Sequence, residues 1–64
     1  MEDRLQRYIQ LRDNLSDNNL IRVCVARYEI NLIKYELTKN EKYKLIMEAI
    51  SKILDTFLDI EFAS

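Results

Sequence analysis

The residues that could carry chemistry are few, and each lacks the neighbours its chemistry needs. Cys24 is the only thiol, and the chain has no histidine. A reactive thiolate needs a base or cation beside it, and a zinc site needs about four N or S ligands. Cys24 instead stands inside the apolar stretch "IRVCVARYEINLIKYEL", where a small buried thiol is expected. Without imidazole there is no histidine-containing triad and no histidine base. Asp55, Asp59 and Glu61 place three carboxylates close together, superficially like a metal cluster. Asp55 and Asp59 share a helical polar face with Lys52, so a solvated face is the simpler expectation. Glycine is absent, and with it any phosphate-cradling loop. These absences leave no catalytic, cofactor or metal site to assign, and the chain reads as non-enzymatic.

One constellation has recognition chemistry. The arginines Arg4, Arg7, Arg12, Arg22 and Arg27 all fall in the first half, and Tyr8 sits among the first three. Arginine beside an aromatic ring can grip phosphate and stack on bases, or anchor a protein interface. Against nucleic acid, Asp3, Asp13 and Asp17 dilute the patch and the formal net charge is −1. A recognition helix needs a clear basic face, which no segment presents. Arg4, Arg7, Tyr8 and Arg12 are therefore assigned to a protein partner, with DNA binding through these arginines as the alternative.

The elements must then be able to hold such a surface. A chain of 64 residues makes one domain at most, spanning residues 1–64. Chains this short are marginal without a disulfide, a metal or a partner. One cysteine forms no intrachain disulfide, so oligomerisation or a partner is left by elimination. Composition is that of a folded chain, with 48% hydrophobic and 33% charged residues. No apolar run approaches a membrane span, and the start "MEDRLQRY" is unlike a signal peptide. A cytoplasmic setting follows, in a bacterial or virus-infected cell given the abundance of Ile, Lys and Asn.

With neither Gly nor Pro, long helices are favoured over tight hairpins. Two breaks remain. In "NLSDNN" (14–19), Ser16 or Asp17 is expected to cap the next helix. In "LTKNEKY" (37–43), Thr38 and Glu41 have capping-box spacing. The expectation is an all-α chain of three helices built on a helical hairpin, at about 2–15, 18–38 and 39–62, with the second break soft enough for a continuous helix.

On a helical wheel of about 100° per residue, the middle segment sorts into two stripes. Ile21, Cys24, Val25, Tyr28, Leu32 and Tyr35 form the first. Val23, Ala26, Ile30, Ile33 and Leu37 form the second, on the opposite side. Arg22, Glu29 and Glu36 fill one seam; Arg27, Asn31 and Lys34 fill the other. A strand would mix Arg27, Glu29 and Asn31 into a face shared with Ile21, Val23 and Val25, and would exceed the usual ~3–10 residues. The third segment shows one dry face, Tyr43, Ile46, Ile50, Ile53, Phe57 and Ile60, widened by Met47, Leu54 and Leu58. The first segment puts Met1, Leu5, Tyr8, Leu11 and Leu15 together, with Ile9 at the margin and Arg4 and Arg12 close by.

A helix greasy on two opposite sides wants to be sandwiched. The third helix can cover one stripe, and the first is short and can cover only part of the other. A second copy is the simplest source of matching surface, because a two-fold interface uses one patch twice. The expectation is a homodimeric helical bundle with Val23, Ala26, Ile30, Ile33 and Leu37 at the self-association face. Its expected role is a small protein-binding regulator or inhibitor, of the sort phages and mobile elements encode, acting on a larger protein through helix contacts. A DNA-binding helical dimer and a structural subunit of a larger assembly are the alternatives. No membrane partner and no cofactor is expected.

Overall fold

The computed structural model describes residues 3–62. Met1, placed on the first helix's apolar face by the sequence pattern, lies outside the described residues, as does the expected helix start at residue 2. Among the described residues the secondary structure is three helices and no strand: α1 (Asp3–Asn14), α2 (Asn19–Thr38) and α3 (Glu41–Phe62). The disputed stretch 21–37 is helical throughout. The heptad arrangement of its apolar residues outweighs the mild strand preference of five β-branched side chains, because helix lets nearly every apolar residue leave the polar seams.

The breaks fall where expected, but their chemistry differs in detail. The cap of α2 is Asn18, one residue beyond the Ser16/Asp17 expectation. Its backbone is extended (φ −90°, ψ 100°) and its side-chain oxygen accepts the Ile21 N–H at 3.2 Å. All three side chains are competent caps. Leu15–Asp17 instead continue from α1 as a turn, with the Leu15 N–H bonded to Leu11 O at 3.0 Å and the Asn18 N–H to Leu15 O at 2.9 Å.

The Thr38–Glu41 capping box does not form, because α2 keeps Thr38 as its last residue. The Thr38 hydroxyl donates back to Lys34 O at 2.8 Å and accepts the Asn40 N–H at 3.2 Å. Asn40 caps α3 instead, its side-chain oxygen accepting the Lys42 N–H at 3.1 Å. Between the helices Lys39 takes the left-handed conformation (φ 56°, ψ 23°), with its N–H on Tyr35 O at 2.7 Å. That helix-ending geometry is usually given to glycine. With no glycine in the chain, a lysine carries the strain.

These ends set up an antiparallel α2–α3 hairpin with α1 laid chiefly against α2. The core draws from all three helices: Leu5, Tyr8 and Leu11 from α1, Ile21, Val25 and Tyr28 from α2, and Met47, Ile50 and Leu54 from α3. Complete burial of an aliphatic or aromatic side chain contributes about 1.5–3 kcal/mol. α1 and α3 thus share the first stripe of α2 between them, and α1 does not serve as a cover for the second.

The inner face of α3 is turned relative to the expected one. Met47, Ile50, Ser51 and Leu54 are buried, while Ile46, Ile53 and Ile60 are 42%, 44% and 68% exposed. α1 meets α3 on the side carrying Asp55, through the Tyr8 hydroxyl, and the residues on the other edge of α3 lie outward. Two apolar stripes overlap on α3, and the three-helix packing encloses only one.

Candidate functional site

The second stripe of α2 is the most exposed ordered apolar surface on that helix. Val23, Ile30, Ile33 and Leu37 are 50%, 50%, 54% and 80% exposed, and Ala26 is exposed with them. They recur at alternating spacings of three and four, the spacing of a coiled-coil seam. In heptad terms the flanking positions are Arg27 and Lys34 on one side and Arg22, Glu29 and Glu36 on the other. The patch is roughly 500 Å² in extent, comparable to the largest apolar patches on typical monomers. Two such patches face to face bury about 1,000 Å², the lower bound for a specific interface. The five residues assigned to self-association thus lie together, on one face, outside the core.

The N-terminal cluster is arranged differently from the sequence expectation. Tyr8 is fully buried and belongs to the core. Its hydroxyl donates to Asp55 Oδ1 at 2.7 Å, and its ring meets Tyr28 edge to face, with centroids 5.1 Å apart at 83°. The reason is its place at the centre of α1's apolar stripe, where a tyrosine can bury its ring and keep a partner for its tip. Of the residues assigned to a partner in this region, the exposed ones are Arg4 and Arg7. Arg4 and Arg7 are exposed and line a cleft of about 910 Å³ with Asp3, Gln10, Asp55 and Asp59. Arg12 is half-buried and turned to Asp13, 3.4 Å away. It lies in a separate depression with Arg22, Val23 and Ala26. The structure thus groups Arg4 with Arg7, and places Arg12 at the edge of the α2 stripe.

Electrostatics around Tyr8 follow from its burial. The phenol is pushed up to about 12, first by loss of solvent and then by the Asp55 carboxylate. A hydrogen-bonding interaction from Ser51 and the charge of Arg4 oppose that rise. Ser51 Oγ is buried beside this cluster and makes no hydrogen bond of good geometry. Arg4 is held above its ordinary value, chiefly by Tyr8 and further by a hydrogen bond to Tyr28, against partial desolvation. The cluster is a brace between three helices, with Arg4 as its exposed end.

Cys24 is buried among apolar neighbours. Among the described residues no group of three or more His, Cys, Asp or Glu is placed to hold a metal ion, and no helix is long and apolar enough to cross a membrane. Asp55 and Asp59 face the α1 cleft across from Arg4 and Arg7. The sequence pattern places Ile46, Ile53 and Ile60 on the inner face of α3, and the structure leaves them exposed. Their exact spacing of seven was visible in the sequence, but seven-residue spacing suits an inner and an outer face equally. In comparison with known proteins, the chain matches no family model, no curated protein and no solved structure.

Proposed function

We propose that this chain is a non-enzymatic protein-interaction module: it pairs with a second copy through the outer stripe of α2 and regulates or inhibits a larger protein. The observation that carries this reading is the row Val23, Ala26, Ile30, Ile33 and Leu37, at coiled-coil spacing and exposed along the whole helix. Among the described residues, none of these five belongs to the core cluster. A monomer would gain by making them polar, since each exposed aliphatic contributes to aggregation and nothing to the core. A second copy supplies the matching row without any further gene product.

The test is the mass in solution across concentration, by light scattering coupled to size exclusion. The reading expects twice the monomer mass at micromolar concentration, and monomer for Ile30→Asp with helicity retained. A wild-type chain that stays monomeric to the millimolar range removes the self-association half of the reading. The regulatory half is tested by capture with the tagged dimer, followed by reconstitution of the captured protein from purified components.

A further inference from the structure

The face of the α2–α3 hairpin turned away from α1 is a second, distinct apolar surface. Its position follows from residues two apart, which point about 200° from each other on a helix. Asp55 meets α1 through Tyr8, so Ile53 points the opposite way. On α2, Leu32 and Glu36 line a cleft with Arg4 of α1, so Lys34 between them points away as well. Lys34 crosses toward α3 on this open side, its ammonium 5.7 Å from the centre of the Tyr43 ring. Lys42 meets the same ring at 5.1 Å. Ile46 lies one turn beyond, followed by Ile53 and Ile60 at intervals of seven, all exposed.

The charges around this surface are largely of one sign. Arg27 and Lys34 form its α2 edge, with Asn31 between them donating to Arg27 O at 2.8 Å. Lys42 stands within the row of isoleucines. The outer α3 edge carries Lys52 and, at its start, Glu41, while Asp59 belongs to the α1 cleft. A second copy offers only Glu41 and Lys52 along the facing edge to meet Arg27 and Lys34, a weaker match than a run of carboxylates. An apolar ridge with carboxylates on its flanks fits both features at once.

We infer that this face docks an amphipathic helix of a partner protein whose apolar ridge is flanked by Asp or Glu, the ridge lying on Ile46, Ile53 and Ile60 and the acidic flank on Arg27, Lys34 and Lys42. The inference deepens the proposed function by giving the target's chemistry and its seat, and it leaves the α2 stripe to the second copy. A docked amphipathic helix presents anchors at i, i+3 or i+4 and i+7, and the seven-residue spacing of Ile46, Ile53 and Ile60 matches that repeat.

The probe is a labelled synthetic helix of about 20 residues with a leucine ridge flanked by Glu, compared with the same ridge flanked by Lys. Binding to the full chain is read by fluorescence anisotropy. The expected result is that the Glu-flanked helix binds at least about tenfold more tightly, and weakens as salt is raised. Ile53→Glu and, separately, Lys34→Glu each reduce that affinity about tenfold or more, with helicity checked by circular dichroism. The Ile30→Asp chain still binds the probe. Equal binding of the two helices, absence of binding, or loss on Ile30→Asp with retention on Ile53→Glu would each overturn the inference. So would a fall in mass on Ile53→Glu, which would give this face to the second copy. Failure of self-association shows in mass on Ile30→Asp, so the two readings fail separately.

Discussion

The Tyr8 hydroxyl donates to Asp55 Oδ1 at 2.7 Å, joining α1 to α3 across 47 positions of sequence. Its ring is wholly enclosed and its acceptor sits at the surface. Removing the hydroxyl leaves Asp55 free to hydrate and leaves no cavity in the ring's place. Tyr8→Phe is therefore expected to lower stability by about 1 kcal/mol, the net value of a typical hydrogen bond. Tyr8→Ala removes the ring as well and is expected to cost about 3–5 kcal/mol, comparable to the whole stability of a chain this size. Urea titration followed by circular dichroism measures both.

The same phenol makes stability sensitive to alkali. Its ordinary value is 10.0 and the fold pushes it up to about 12, mainly by burial. The contribution is intact below pH 10, where both states hold the proton. It declines between about pH 10 and 12, because only the unfolded chain releases the proton there. A loss of about 3 kcal/mol across that window is the upper limit. Stability measured against pH in wild type and Tyr8→Phe checks it: the variant should show the shallower alkaline decline, while the other tyrosines and the lysines titrate alike in both.

Ile30 lies at the centre of the α2 outer row and outside the core. Ile30→Asp is expected to halve the mass in solution while changing the stability of the monomer by less than about 1 kcal/mol, since surface changes are usually small. Sedimentation velocity and thermal melting, taken together, separate dissociation from unfolding.

The turn between α2 and α3 stores strain at Lys39, where a side chain occupies left-handed backbone. Its interactions are weak: an exposed ion pair with Glu36 at 3.5 Å and a ring contact with Tyr35 at 5.7 Å. Lys39→Gly is expected to stabilise the chain by about 0.5–1 kcal/mol, as the Cβ penalty of about 1–2 kcal/mol outweighs the entropy glycine adds to the unfolded state. Denaturant midpoints compare the two chains.

The start of α2 offers three adjacent side chains able to cap it, and only Asn18 does so. Asn18→Ala is expected to destabilise by about 1 kcal/mol, whereas Ser16→Ala and Asp17→Ala should each change stability by less than about 0.5 kcal/mol. A larger effect at Asp17 would relocate the cap.

The helices themselves were legible because their signals are local. Two polar breaks, apolar periodicity and the absence of glycine and proline placed all three elements within about two residues of their ends. The two-sided character of α2 was legible for the same reason, as each stripe has its own charged seam. The inner face of α3 was not. Its apolar arc is wide enough to be entered from either edge, and the choice between Met47–Leu54 and Ile46–Ile53 depends on where α1 docks. Nor was the role of Tyr8 settled, since the acceptor that holds it lies at the far end of the chain. Arg4 and Arg12 each stand one turn from Tyr8 on the same side of α1, and the local pattern does not tell that the other helices enclose the ring while Arg4 stays exposed.

The two-residue reversal at Lys39 and Asn40 also dictates an order of events. Helices joined so closely meet by closing a very short loop, which costs little chain entropy. α2 and α3 are expected to zip together from that corner outward, within the microsecond-to-millisecond range of helical bundles. α1, although joined to α2 by a short turn, must also form its bond to Asp55 across most of the polypeptide and is expected to join afterward. Substitutions at Leu5 or Leu11 should then accelerate unfolding and leave the refolding rate almost untouched, whereas changes at Tyr43 or Met47 should slow refolding.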